Sequence, residues 1–411
     1  MKRILTITLA LLLVFALVAC GGDNNNAGNT GTPSGDGNNA GNTTPSNNTP
    51  VNNEDNTPAN TNDNTKVEDD TPPQSEGYEL ALITDLGTID DKSFNQGSWE
   101  GLMLYADANN ISRKYYKPAD QGDDAYLNAI DLAVQGGAKV IVTPGFLFEV
   151  PVYKAQDMYP NVKFILLDGS PNDGDWSNGA PNGKVGDNTV AIFYAEEQSG
   201  FLAGYAAVID GYRKLGFMGG MAVPAVIRFG HGYVQGAEVA AQELGLPDKS
   251  ISITYYYTGT FAPAPEIQTM AAAWYNDGVE VIFSCGGGIC FSIFPAAENS
   301  GNVVIGVDGD QSGESPSVIT SAMKLLTKSV NDKIADFYNN EFPGGQTVIY
   351  SAENMGVGLP AIATSKFKTF TQAQYDEVYK KLQNGSIVVD NNIDITPDQL
   401  PAKAVVVNYL G

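Results

Sequence analysis

The sequence predicts two α/β lobes, each a doubly wound parallel sheet. Three observations predict this. Short apolar runs alternate with amphipathic stretches about every 25–30 residues, the rhythm of βαβ units and a parallel sheet. That rhythm restarts near residue 196, as a second copy of one lobe would require. Hydrophobic residues make up 43% of the 411 positions, enough for two domain-sized cores.

The elements follow in chain order. Residues 1–20 read MKRILTITLALLLVFALVAC. Lys2 and Arg3 precede an apolar run that is short for a membrane span but suits a signal peptide. Leu17-Val18-Ala19 before Cys20 looks like a bacterial lipobox, with cleavage before Cys20 and a diacylglycerol on its thiol. Residues 1–19 are therefore read as a lipoprotein signal and Cys20 as the lipidated residue. Several acyl chains anchor stably where one is marginal, at about 0.8 kcal/mol per buried methylene. Residues 20–77 form the lipidated end and a tether. The stretch is rich in Asn, Gly, Thr, Pro and acids and almost free of large apolar side chains, so burial cannot offset its ordering entropy. As a flexible coil it would span about 40–45 Å.

From residue 78 the pattern becomes that of a folded chain. Apolar runs at 78–84, 138–143, 162–168 and 186–193 read as strands; 94–108 and 124–135 read as helices. The second set comprises helices at 196–209, 227–244 and 265–277, with strands at 214–218, 251–257, 279–284 and 303–307. The tail adds helices at 322–339 and 371–384 and strands at 348–351 and 404–409, too little for a third domain. We expect it to complete both lobes. Lobe 1 is then 78–194 with 322–347, and lobe 2 is 195–321 with 348–411. Two such lobes put their strand ends at a shared cleft, where ligands bind.

Charge narrows the partners. The net charge is -24, and the folded part carries roughly -18 of it with no basic stripe. That excludes binding to nucleic-acid polymers and suits an exported domain. The single histidine, His231, excludes a multi-histidine metal site and reads as a surface or hydrogen-bonding residue. Cys285 and Cys290 read as small buried hydrophobes, although a disulfide is open to them. GGGIC lacks the Gly-Lys-Ser/Thr ending of a phosphate loop. No cofactor is expected.

The candidate site starts in the loop after the first strand, TDLGTIDDKSFN at 84–95. Its acids and serine fit helix capping, and Phe94 fits core packing. The longer string DLGTIDDKSFNQGSWEG resembles the hallmark of the basic membrane protein family, the substrate-binding lipoproteins of nucleoside ABC importers. EEQSGFLAGYAA, KLGFMGGMAVPAVIRFGHGYVQGA and IGVDGDQS resemble further family motifs in the same order, so the likeness covers nearly all of 78–411.

That resemblance implies a type I periplasmic-binding-protein fold with two lobes joined by a hinge. It implies a nucleoside whose base lies between Phe94 and Phe261. Stacking on a ring is worth about 1–3 kcal/mol per base. It also implies that Asp168 accepts a base N–H, and that Asp308, the turn at Gly287 and Lys324 meet the ribose. Lys324 is expected to pair with Asp308. Asn95 offers donors and an acceptor to a base edge, and Asp90 could reach a hydroxyl. The implied partners are a purine nucleoside, an ABC permease and ATPase, and the membrane through the lipid anchor, with the protein a monomer on the extracytoplasmic face of the cell membrane. Other readings are a sugar, a riboflavin-like molecule or a signalling ligand in the same role, a receptor or adhesin without an importer, and a nucleoside hydrolase. The hydrolase lacks a Ser-His-Asp arrangement, and we expect no enzyme.

Overall fold

The computed structural model describes residues 77–411; the expected signal peptide, Cys20 and the tether to residue 76 lie outside them. Lobe 1 opens with β1 (Leu80–Ile83), α1 (Phe94–Asn109), β2 (Arg113–Tyr116), α2 (Asp123–Gln135), β3 (Val140–Pro144), α3 (Glu149–Met158), β4 (Lys163–Leu167) and β5 (Thr189–Tyr194). Lobe 2 follows with α4 (Glu196–Ile209), β6 (Lys214–Gly219), α5 (Pro224–Glu243), β7 (Ile251–Tyr257), α6 (Pro265–Asn276), β8 (Val281–Cys285), α7 (Cys290–Ser300), β9 (Val303–Asp308) and β10 (Val318–Lys324). The tail supplies α8 (Leu326–Tyr338), β11 (Gln346–Tyr350), β12 (Val357–Gly358), α9 (Gln372–Gln383) and β13 (Val405–Tyr409).

The first sheet runs β2-β1-β3-β4-β5-β11 and the second β13-β7-β6-β8-β9-β10-β12. Each lobe therefore repeats one five-strand order, second-first-third-fourth-fifth. Every pairing is parallel except that of β12 with β10. Fully buried β1, β3 and β8 read as continuous apolar runs because helices cover both faces of their sheets. One large core lies inside both lobes, and a smaller one backs each sheet on its outer side.

Two boundaries differ from expectation. Residues 322–324 do not start a helix; they end β10, paired to β9. β11 belongs to the first sheet, beside β5, so the chain returns to lobe 2 only after Tyr350. The crossovers fall at Ala195, Leu325 and 351–356. They are tied together: the Ala195 N–H donates to the Tyr350 carbonyl at 2.9 Å, and the Leu325 N–H to the Gly356 carbonyl at 2.9 Å.

Glycines set the floor of lobe 2. A β-carbon at Gly200 or Gly204 of α4 would lie 2.0 or 2.1 Å from the Phe229 or Tyr233 carbonyl oxygen of α5. One at Gly232 or Gly236 would meet the Glu197 or Phe201 carbonyl at 2.0 or 1.9 Å. The two helices thus touch backbone to backbone, which only glycine permits. This packing explains Gly200 and Gly204 of EEQSGFLAGYAA and Gly232 and Gly236 of FGHGYVQGA, whereas Gly230 makes room for the Tyr255 side chain. Cys285 and Cys290 are free and buried, as expected. His231 is not at the surface. It is buried in α5 with Nδ1 2.9 Å from the Asn392 carbonyl oxygen.

Candidate functional site in the interlobe cleft

The loop from β1 to α1 is built around Asp91. Its carboxylate accepts the backbone N–H groups of Ser93 (2.9 Å), Asn95 (3.1 Å) and Gln96 (3.1 Å), capping α1. Asn95 braces the same loop. Its amide donates to Asp85 and Asp91, each at 2.9 Å, and accepts the Asp85 N–H at 3.3 Å. Its donors are therefore spent internally, and the expected reading of a base edge has no free N–H behind it. Asp90 is also displaced from its expected place. It is exposed in a groove lined also by Lys92, Trp99 and Tyr115, and the Thr88 hydroxyl holds its pKa below the usual carboxylate value.

Four of the other expected residues gather where the strand ends of the two lobes meet. Phe94 opens α1, half-buried, with its ring 4.9 Å from the Lys324 ammonium. Asp168 directly follows β4 and Asp308 ends β9, both in the left-handed backbone region at φ 54° and 65°. Asp tolerates that region better than most residues, and functional sites often use it. Lys324 ends β10 and is ion-paired to Asp168 across the cleft. It does not pair with Asp308 as expected; Ser93 of the opposite lobe donates its hydroxyl to Asp308 instead.

Phe261 lies in the loop after β7, half-buried, over a floor of glycine. A β-carbon at Gly220 would come within 2.4 Å of its ring. Gly287 takes φ 54° in the turn after β8, and a β-carbon at Gly288 would lie 3.1 Å from the Phe261 carbonyl oxygen. The glycine turn therefore packs against the backbone that carries Phe261, while Gly220 lies against its ring.

Sequence reading missed Glu196, the first residue of α4. It is fully buried, 2.6 Å from the Arg228 guanidinium and 3.1 Å from the Lys324 ammonium. Its signal was the doubled acid opening EEQSGFLAGYAA, which helix capping alone would account for. Glu197 beside it is also buried, so Asp168, Glu196, Glu197 and Asp308 share the cations Lys324 and Arg228. Burial opposes the charge on Lys324, but Asp168, Glu196 and Asp308 outweigh it and hold its pKa above the ordinary lysine value. Burial pushes Asp168 up to about 7; Lys324 works against this, and Glu196 and Asp308 add to it. Burial likewise raises Asp308, with Lys324 and Ser93 opposing. One Asp168 oxygen, Oδ1, is buried without a hydrogen-bond partner. Such an oxygen costs about 1–3 kcal/mol until a donor reaches it.

Paired sheets of one strand order, three crossovers and a polar, aromatic cleft define a two-lobed solute-binding protein of the type I periplasmic-binding-protein fold. A solved ABC-transporter solute-binding protein from Aeropyrum pernix K1 superposes with a TM-score of 0.64 at 22% identity, covering 77% of this chain and 94% of the other. One from Conexibacter woesei gives 0.61 at 20% identity, covering 76% and 99%. Residues 79–392 match the family described as ABC transporter substrate-binding protein PnrA-like, and the chain belongs to that family. It is 31% identical over 315 residues to the ABC transporter nucleoside-binding protein BmpA of Lactococcus lactis, covering 70% of this chain and 83% of the relative. It is 30% identical to basic membrane protein A1 of Borrelia garinii, covering 78% and 90%. The protein is thus a transport binding protein and not an enzyme. Its partners are a ligand and the permease and ATPase of an ABC transporter, and it works on the extracytoplasmic side of a membrane. Among the described residues no helix is long and apolar enough to cross a membrane.

Proposed function

We propose that this chain binds a purine nucleoside between its lobes and hands it to an ABC permease as a monomer, held to the membrane by lipid on Cys20. The observation that carries this is the Asp168–Lys324 pair beside Phe94. It offers a charged acceptor with a free, buried oxygen next to an aromatic face. Inosine and guanosine offer a ring N–H to the first, adenosine an exocyclic amino N–H, and all three a flat face to the second. Phe261 on its glycine floor supplies a second ring from the other lobe. Asp308 is the acceptor for ribose hydroxyls, which would take over from Ser93. An excess of carboxylates disfavours a phosphorylated ligand. The Lactococcus relative is itself named a nucleoside-binding protein.

Titration calorimetry of the full chain is expected to give micromolar or tighter binding of inosine, guanosine or adenosine, weaker binding of uridine and cytidine, and no release of free base. Saturable binding of ribose with no binding of any nucleoside would replace this reading with a sugar. The intact mass of the protein purified from membranes, with or without diacylglycerol on Cys20, tests the anchor.

A further inference from the structure

The turn between β1 and α1 faces the turn after β9 across the cleft, and they touch at three places. The Gln311 Nε2 donates to the Lys92 carbonyl oxygen at 2.8 Å. The Lys92 ammonium lies 3.4 Å from the Glu314 carboxylate. The Ser93 hydroxyl donates to Asp308. Each contact joins one lobe to the other, and none lies in a crossover segment.

Gln311 is the best-placed of these groups. It is 1% exposed, and lobe 2 alone sets its orientation. Its Oε1 accepts the Val307 N–H at 3.1 Å, and its own N–H donates to Ser321 Oγ at 3.0 Å. The amide nitrogen is thereby aimed at lobe 1 before the lobes meet. Lobe 1 is prepared in the same way. Lys92 sits at φ 57°, a conformation that lysine rarely adopts, and its N–H is held by Gln96 Oε1 at 3.0 Å. The Asp91 cap fixes the residues that follow.

We propose that Gln311 is a positioning residue, the pin of a clasp that closes the lobes without help from ligand contacts and sets how long they stay shut. The proposal rests on the interlobe cleft being the binding site, but not on which ligand fills it. The strengths of the contacts suit a reversible device. The Lys92–Glu314 pair is about one-third exposed and adds little. A buried amide-to-carbonyl bond adds more, but it is exchanged for bonds to water when the lobes part. The clasp acts beside the buried Asp168–Lys324 pair, which also spans the cleft, and any ligand that bridges the lobes shifts the balance.

Gln311→Glu keeps the oxygen that accepts from Val307 and removes the donor to Lys92; Gln311→Ala removes both. Hydrogen exchange of the ligand-free full chain should show faster exchange at amides 92–96 of lobe 1 in both variants. With Gln311→Glu, amides 303–307 of lobe 2 should stay protected. Stopped-flow release of inosine should quicken about five- to tenfold, with little change in association. Wild-type exchange at 92–96 in both variants, or faster exchange confined to lobe 2, overturns the clasp. If 92–96 lose protection but inosine never binds, the clasp stands and the nucleoside reading falls.

Discussion

The two lobes share a strand order but arm it differently. β4 and β9 hold the same place in their sheets, and an aspartate in the left-handed region lies at or directly after the end of each, Asp168 and Asp308. The turns after β3 and β8 also correspond, yet one reads Gly145-Phe146-Leu147-Phe148 and the other Gly286-Gly287-Gly288-Ile289. The difference follows from where each lobe carries its ring. Lobe 1 presents Phe94 from the loop after its first strand, a long loop stiffened by Asp85, Asp91 and Asn95. Lobe 2 presents Phe261 from the loop after its second strand, and that loop is packed on glycine: Gly220 lies under the ring, and Gly288 against the Phe261 carbonyl oxygen. Charge is divided just as unevenly. Lobe 2 contributes Glu196, Glu197, Arg228, Asp308 and Lys324, whereas lobe 1 brings Asp168 to the cluster. One scaffold used twice can therefore make an asymmetric site, because strand ends fix positions while loops choose side chains.

The division of charge is open to the sharpest test. Lys324→Met should destabilise the protein by about 3–5 kcal/mol, since it strands buried carboxylates from both lobes. Adding Asp168→Asn should recover part of the loss in a denaturant melt. No recovery would mean that the lobe 1 acid is not coupled to the lobe 2 lysine. The rings come next. Phe94→Ala and Phe261→Ala should each cost about 1–3 kcal/mol of nucleoside affinity by calorimetry. Unequal losses would rank the two loops, and two variants that bind normally would remove the sandwich.

The smallest expected effect concerns the crossover helices. α4 enters lobe 2 with two buried acids, whereas α8 enters lobe 1 with Leu326 and Thr327. Burial raises the Glu197 pKa to about 7, helped by Glu196 and opposed by its own backbone N–H and Arg228. A raised carboxylate adds stability below its unfolded pKa and loses it as pH climbs through the folded one. Wild-type stability should therefore fall between pH 5 and pH 8 by on the order of 2 kcal/mol from this group, and Glu197→Gln should flatten that fall. The same slope in both proteins would show that Glu197 ionises freely.

Much of the fold was legible from local pattern. β7 and α4 fall at their expected residues because their clean apolar runs, and the two acids in the first turn of α4, leave the chain little choice. Helices α3 and α7 escaped notice because Pro151 and Pro295 sit within them, and proline argues against a helix interior. β10 was hidden by its ending: Ala322, Met323 and Lys324 favour helix, and pairing with β9 overrides them. At the site, Phe94, Asp168, Asp308 and Lys324 were implied by motifs and come together where the lobes meet, whereas Phe261 lies in the lobe 2 loop after β7. Asp90 and Asn95 were misread because a DDKSFN string does not show which acid faces inward. Asp91 won that place by capping α1, and Asn95 was drawn into the loop it braces.

By itself the sequence determined the class of fold, the repeat of the lobe and the residue types a cleft would need. The first two follow from periodicity and composition, which are local, and the third from motifs whose likeness to a family implied it. Only the tertiary structure decided that Lys324 meets Asp168 and Glu196, that Ser93 meets Asp308, and that Gln311 reaches Lys92. Such partners lie far apart along the chain, and which buried charge finds which depends on how two separately folded sheets come to rest against each other.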